Sequence, residues 1–368
     1  MRLTLPREVL LKPLQQVVNV VERRSTMPIL ANLLMQVSRE QLALTATDLE
    51  VQMVATTTAA GAGAVDGATT VPARKFFEIV RALPDGATVS LTLSGDRLNV
   101  SAGRSRYTLA CLAADDYPAS DELEVVERVR LKERDLKAVM DQTSFAMAQQ
   151  DVRFYLNGLL LDVDGTVLRA VATDGHRLAV AETAVESGAQ VRKQLILPRK
   201  GVLELSRLLE TGESDIELEI GRTHLRVRRD GLAFSSKLID GRFPDYEAVI
   251  PLGADKEVRV NRDELRSSLQ RAVILSNEKY RGVRLEFSPG VMRVVAHNPE
   301  QEEAVEELEA QTQIDALSVG FNASYVLDAL GALSGDDVLL LLRDAGSSVL
   351  LRELGDSKVR HVVMPMRL

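Results

Sequence analysis

Tryptophan is absent from this 368-residue chain, cysteine occurs once, histidine four times, and only 14 residues are Phe or Tyr. The single cysteine, Cys111, excludes an intramolecular disulfide or a cysteine-cluster metal site, and in its apolar stretch it reads as a small core residue. His176, His224, His297 and His361 lie too far apart for a local zinc site. Few aromatics make poor stacking platforms for single strands. The longest aliphatic run, Val338 to Leu342, falls far short of the roughly 20 residues of a membrane span. Arg2, Arg7 and Glu8 interrupt any signal-peptide pattern, so the expected location is the cytoplasm. The Gly-rich GAGAVDG (61–67) lacks the lysine of a phosphate loop and reads as a solvated turn, and no cofactor is expected. Positive charge is also short, with a formal net of -8. Holding nucleic acid by bulk electrostatics is thereby disfavoured, and any DNA role needs local positive charge or topology.

What is present is length and internal repetition. At about 100 to 200 residues per domain the chain predicts two or three domains, and 45% hydrophobic residues supply a core for each. Leu5, Leu10 and Leu14 recur as Leu131, Leu136 and Met140 and again as Val260, Leu265 and Leu269. Ala46, Ala172 and Ala296 fall in register within LALTATDLE, VLRAVATDGH and VMRVVAHNPE. Pro72, Pro198 and Asn322 open a third matched block, and Tyr117-Pro118, Phe243-Pro244 and Met364-Pro365 close each copy. Four matches in one order at nearly constant offset mean three copies of one unit, with boundaries expected at 1–127, 128–254 and 255–368. Within each copy the apolar period switches from helical (Leu136, Val139, Met140) to alternating (Ile216, Leu218, Ile220) in the same order. The pattern is strand, helix, several strands, helix, several strands, an α+β unit with helices on one sheet face. The second helices are expected at about 74–83, 199–209 and 323–330.

The six helical spans carry 16 cationic and 11 anionic side chains, a net of +5, which leaves -13 for the rest. Helices attract Lys and Arg in any case, but a basic helical layer inside an acidic sheet shell also suits a ring around a polyanion. Helices pack roughly 10 Å apart, so six in a ring leave about 19 Å between opposite axes and twelve leave about 38 Å. Twelve helices, from two chains, would enclose a duplex roughly 20 Å wide. Lys75, Arg97, Arg104 and Arg106 in the first copy face a matching acidic run in the third, with Glu300, Glu302, Glu303, Glu306 and Glu307. Opposite patches at opposite ends predict a head-to-tail contact that closes when the rotation permits.

The strings QDVRFYLNG (150–158), VATDGHRLAV (171–180), LPRKGVLEL (197–205), DGRFPDY (240–246), ILSNEKYRGVRL (274–285), NPEQEEA (298–304), FNASYVLDAL (321–330) and VVMPMRL (362–368) resemble those of the bacterial sliding clamps, the beta subunits of DNA polymerase III holoenzyme. The resemblance runs end to end. It implies three tandem similar domains of the DNA clamp fold, helices inside and sheets outside a head-to-tail dimeric ring. The ring would encircle double-stranded DNA, take part in no covalent chemistry, and be loaded by an ATP-driven clamp loader. It would tether the polymerase III alpha subunit, the clamp loader and other clamp-binding-motif proteins.

The resemblance implies a partner-peptide groove of Arg153, Tyr155, Leu156, Thr173, Gly175, His176, Arg177, Leu178, Pro244, Val249, Tyr280, Asn322, Tyr325, Ser348, Val362, Met364, Pro365, Met366 and Arg367. Such a surface suits an extended peptide with Leu and Phe anchors and a Gln, and flexible methionines let it accept several partners. Glu247-Ala248 departs from the basic residues often found beside this groove in the family. The DNA contacts carried over are Arg24 and Gln150, with Arg74, Arg199 and Lys200 added from the helix reading. At the dimer interface Ile274 and Leu275 match the apolar centre, with Tyr107 and Leu109 opposite.

Two other readings compete. LLLDVDGTV (159–167) has the local pattern of a haloacid-dehalogenase-type phosphatase, with Asp162 as nucleophile and Asp164 as its partner. Asp164-Gly165, however, is a strong hairpin signal between two strand-like runs. The acidic total alone would also suit an interaction scaffold that ignores DNA.

Overall fold

Alternation of buried and exposed residues, helix caps and Gly turns build the same succession of elements three times in the computed structural model, which describes residues 1–22, 27–58, 63–118, 123–188, 191–355 and 358–367. Arg24 and residues 61–62 of the Gly-rich turn lie outside them. The first copy comprises β1 (Arg2–Pro6), α1 (Arg7–Val17), β2 (Asn32–Ser38), β3 (Gln41–Thr47), β4 (Val51–Thr58), β5 (Gly67–Pro72), α2 (Ala73–Ala82), β6 (Thr88–Ser94), β7 (Arg97–Ala102) and β8 (Ser105–Ala110). The second comprises β9 (Glu127–Lys132), α3 (Glu133–Asp141), β10 (Gly158–Asp164), β11 (Val167–Thr173), β12 (Arg177–Ala184), the short β13 (Glu186–Ser187), β14 (Lys193–Pro198), α4 (Arg199–Leu208), β15 (Asp215–Ile220), β16 (His224–Arg229) and β17 (Leu232–Lys237). The third comprises β18 (Lys256–Asn261), α5 (Arg262–Ala272), β19 (Gly282–Ser288), β20 (Val291–His297), β21 (Glu303–Glu309), β22 (Leu317–Asn322), α6 (Ala323–Gly331), β23 (Asp337–Leu342), β24 (Val349–Glu353) and β25 (Val359–Val363). Among the described residues, no helix is long and apolar enough to cross a membrane.

Local chemistry accounts for the elements. Leu10, Pro13, Leu14 and Val17 recur at three- and four-residue steps and are the buried face of α1. Asn261 caps α5, its side chain accepting from the backbone N–H groups of Asp263 and Glu264, and those two carboxylates complement the helix N-terminus. Asp164-Gly165 and Asp230-Gly231 turn the β10–β11 and β16–β17 hairpins, with the glycines at φ +58° and +69°. The hairpin expectation for Asp164-Gly165 therefore holds.

The strands do not stay within their repeats. Contacts divide the chain into two compact units, residues 1–134, 186–188 and 203–238, and residues 135–185, 189–202 and 239–368. The first unit contains a four-stranded sheet, β1-β6-β7-β8, and a nine-stranded sheet, β13-β9-β15-β16-β17-β4-β3-β2-β5. The second contains an eight-stranded sheet, β14-β10-β11-β12-β25-β24-β23-β18, and a four-stranded sheet, β21-β20-β19-β22. Each large sheet is thus two half-sheets from consecutive repeats, zipped at β17–β4 in one unit and at β25–β12 in the other. In the second unit Val338, Leu340 and Leu342 of β23 enter one apolar cluster and Leu339 and Leu341 another on the opposite sheet face. That two-sided burial explains the longest aliphatic run of the sequence, Val338 to Leu342. The second cluster is covered by the 239–254 segment through Ile239, Phe243, Tyr246, Ile250 and Ala254.

Candidate functional sites

Several of the residues expected in the partner groove lie in the second unit where β12 meets β25. Leu178 pairs with Val362 and Arg177 with Val363. Beyond β25 the chain continues along the same edge, Met364 N donating to His176 O (2.9 Å) and Met366 N to Gly320 O (2.8 Å). The turn before β12 is fixed internally. Thr173 Oγ1 donates to Arg177 O (2.6 Å), and Asp174 Oδ1 accepts from the N–H groups of His176 (2.9 Å) and Arg177 (3.1 Å). Gly175 sits at φ +89°, and a Cβ there would lie 3.0 Å from the Arg153 guanidinium, so a side chain would be both strained and in the way.

Aromatic and charged groups flank this turn. Arg177 lies 4.6 Å over the Tyr325 ring and donates to Asp174, to Asp328 and to the carbonyl of Phe145. His176 stacks on Tyr325 with centroids 6.3 Å apart. Arg153 is held by two hydrogen bonds to Asp151 (3.0 and 2.9 Å), which in turn keep the Asp151 carboxyl down at about 2. Asn322 caps α6, its Oδ1 accepting from Ser324 N (2.9 Å). Tyr155, Ser348, Pro365 and Met366 are half-buried, and Pro244 and Arg367 are exposed.

The groove differs in one respect from an apolar Leu, Val and Met surface. Leu156, Leu178 and Val362 are each no more than 2% exposed, because they face the apolar cluster beneath. Of the expected groove residues, the exposed large apolar ones are Val249 at 37%, Met364 at 38% and Tyr280 at 53%. Sequence reading also passed over a polar network beside the Glu247–Val249 turn. Asp162, the nucleophile of the phosphatase pattern, is a fully buried strand residue that accepts from Tyr246 Oη (2.7 Å) and Arg192 Nε (2.8 Å). Burial raises its carboxyl and the Arg192 and Tyr246 hydrogen bonds pull it below the usual range, so it stays ionised and paired. A carboxylate sealed from solvent by its own ion pair cannot attack a phosphoryl group, and the phosphatase reading falls.

Of the residues expected at DNA, Arg74 is half-buried on α2 and donates to Val21 O (2.9 Å), which ties α2 to the end of the α1 segment. Gln150 is exposed on a left-handed backbone (φ +56°). Arg199 and Lys200 open α4, both half-buried. For the expected interface, Arg97, Arg104, Arg106 and Lys75 are exposed in the first unit, with Tyr107 half-buried and Leu109 buried on β8. In the second unit Ile274 is 75% exposed and Leu275 half-buried. Glu300, Glu302 and Glu303 are exposed, but Glu306 accepts from Arg271 (3.0 Å) and Glu307 from Arg293 (2.8 Å). A helix neighbour (Arg271 of α5) and a cross-strand neighbour (Arg293 of β20) that repeat arithmetic could not see thus already share those two carboxylates.

Family models for the N-terminal, central and C-terminal domains of the DNA polymerase III beta subunit match residues 1–121, 130–245 and 247–367. The chain belongs to this family. It is 48% identical to the beta sliding clamp of Pseudomonas aeruginosa and 46% identical to that of Escherichia coli, in both cases across all of each chain. A crystal structure of a Pseudomonas aeruginosa sliding clamp bound to griselimycin superposes with a TM-score of 0.98 at 48% identity, over the whole of both chains. A Caulobacter crescentus clamp superposes at 0.93 and 38%, again over the whole of both. The beta-subunit fold is three tandem clamp domains, and the function is that of a DNA sliding clamp, a processivity subunit without catalytic chemistry.

Proposed function

We propose that two copies of this chain close head-to-tail around double-stranded DNA and tether partner proteins through the β12–β25 groove. The observation that carries this reading is the register of the two internal seams. At β17–β4, Phe234 lies opposite Met53, and at β25–β12, His361 lies opposite Ala179. Aligning the repeats through their own hairpins makes Met53 equivalent to Ala179 and Phe234 to His361, so both seams have one register. A third pair of equivalent strands remains unmated within the chain. Among the described residues, β8 and β21 each end a four-stranded sheet with one free edge. Repeating the seam a third time sets Tyr107 of β8 against Ala304 of β21, which within one register places Arg104 opposite Glu307 and Arg106 between Glu303 and Glu307. Opposite charges at cross-strand positions favour that pairing.

In the same reading Ile274 and Leu275 form its apolar centre inside the charged rim of Arg97, Arg104, Arg106, Lys75, Glu300, Glu302, Glu303 and Glu306. Arg24, Arg74, Gln150, Arg199 and Lys200 are the residues assigned to DNA in this reading. The domains run 1–127, 128–254 and 255–368, each contributing one strand to each of two seams. Partners are the polymerase III alpha subunit, the clamp loader and other proteins carrying the clamp-binding motif, all in the cytoplasm. The groove takes an extended peptide whose Leu and Phe side chains meet the Val249, Met364 and Tyr280 rim. The test is topological. Protein loaded on nicked circular DNA should stay bound through a high-salt wash and be lost within minutes once the circle is cut to a line. Retention that ignores linearisation would overturn encirclement.

A further inference from the structure

We propose that Asp162 is a positioning residue for the groove: through Tyr246 and Arg192 its buried carboxylate holds the Glu247–Val249 turn against the sheet, and that turn sets where Val249 stands on the rim. The inference rests on the groove reading and adds a determinant to it. Asp162 lies on β10 two residues from Leu160, on the sheet face that supplies Leu160, Leu178 and Val362 to the apolar cluster. Tyr246 enters that cluster with its ring and is 3% exposed. Its hydroxyl donates to Asp162 and accepts from Arg192 Nη2 (3.1 Å). Arg192 then continues outward to Glu247 Oε1 (2.8 Å). The ring and its hydroxyl therefore fix Tyr246 at both ends. The turn is built directly on it, Val249 N donating to Tyr246 O (3.2 Å) and Ile250 N to Glu247 O (3.3 Å).

A buried ion pair is a poor source of net stability, since desolvating two charges offsets most of their attraction. What it supplies here is direction. An apolar side chain at 162 would seal the sheet face equally well but would leave Tyr246 free to rotate its hydroxyl end and Glu247 free of the sheet. The departure at Glu247 noted in the sequence acquires a structural role, because the carboxylate closes the Arg192 network from the solvent side.

The experiment is fluorescence anisotropy with the full-length protein and a labelled extended peptide carrying Gln, Leu and Phe. Tyr246→Phe keeps the ring and removes only the hydroxyl; Asp162→Asn and Arg192→Lys perturb the other two members. Each should weaken the peptide about three- to tenfold, the span of one net hydrogen bond, with dimer mass unchanged; Tyr246→Phe should keep the melting temperature within a few degrees, whereas Asp162→Asn, which breaks a buried pair from one side, should lower it further. In a Val249→Ala background the same substitutions should have no further effect, since the turn is the only route by which they act. Additive losses in that background would overturn the proposal by showing action elsewhere. Met364→Asp separates the two readings. If it abolishes binding while the three network variants bind normally, the groove stands and the positioning role is refuted; if it too binds normally, the groove reading itself fails. Should Asp162→Asn not fold, Tyr246→Phe and Arg192→Lys decide.

Discussion

A cysteine pair placed by the repeat register turns the third seam into a yes-or-no measurement. Both internal seams put equivalent residues opposite each other, Met53 with Phe234 and Ala179 with His361, so the intermolecular seam should put Tyr107 opposite Ala304. Directly opposed residues in an antiparallel pair have Cα atoms about 4.5 to 5.5 Å apart, inside the roughly 4.4 to 6.8 Å that a disulfide spans. Tyr107→Cys with Ala304→Cys, in a Cys111→Ser background, should oxidise to a dimer on a denaturing, non-reducing gel. A head-to-tail ring has two such seams, so full oxidation gives a covalently closed circle that remains on circular DNA in denaturant. Two controls bracket the register. Val305→Cys in place of Ala304→Cys points to the other sheet face, and Glu306→Cys moves to a diagonal position about 7 to 8 Å away. Neither should cross-link efficiently. A stronger dimer band from the Glu306 pair than from the Ala304 pair would show a two-residue slip, and no band from any pair would refute the strand-to-strand seam.

Two further outcomes follow from side chains already described. Ile274→Ala with Leu275→Ala should give monomers by sedimentation, because about 2 kcal/mol for each apolar side chain is lost at both seams of a ring; an intact dimer at micromolar concentration would remove Ile274 and Leu275 from the interface. His361 is buried against Gln142 O (3.0 Å), Ala329 O (3.2 Å) and the Phe145 ring, and burial lowers its titration from 6.5 to about 4 despite the two carbonyls. A group held neutral in the folded state gives its full stability above pH 6.5 and loses it as pH falls toward 4. Urea denaturation should therefore show the wild type losing about 2 kcal/mol more than His361→Gln between pH 7.5 and 5, and parallel curves would contradict a neutral His361.

The architecture was legible in the sequence to the extent that repetition encodes it. Leu5, Leu131 and Val260 announce three equivalent first strands, and Asp164-Gly165 announces its hairpin, because both signals are local. Strand periodicity, however, reports which face a side chain takes and not which strand lies beside it. Nothing in the pattern of β17 says that its neighbour is β4 of the preceding repeat. The same blindness to lateral neighbours hid the pairing of Glu306 with Arg271 and of Arg74 with Val21 O, which depend on tertiary packing. Resemblance supplied the groove expectation, yet the burial of Leu156, Leu178 and Val362 follows from the 239–254 segment lying over that face. Asp162 is the sharpest case. A carboxylate at the end of an apolar run suggests chemistry until Arg192, 30 residues later, is seen to neutralise it.

The two internal seams and the proposed third imply a division of labour among equivalent positions. Phe234 and His361 are each 1% exposed, sealed within strands that the same polypeptide brings together at high effective concentration. Tyr107, at the corresponding point of β8, is half-buried on the edge that the proposed third seam would cover. A clamp that admits a closed DNA circle has to part somewhere, and the seam without a covalent connection is the one that can part without unfolding a sheet. Charge then decides what may close it. Glu303, Glu307 and Glu309 project from one face of β21, so pairing β21 with a second β21 sets carboxylate against carboxylate, and pairing β8 with β8 brings the Arg104 and Arg106 side chains together. Free strand edges invite indiscriminate pairing, and a single sign of charge on each edge suppresses it. Only the mixed pairing, β8 with β21, is free of that repulsion, and mixed pairing is what turns a heterologous contact into a ring instead of a face-to-face dimer.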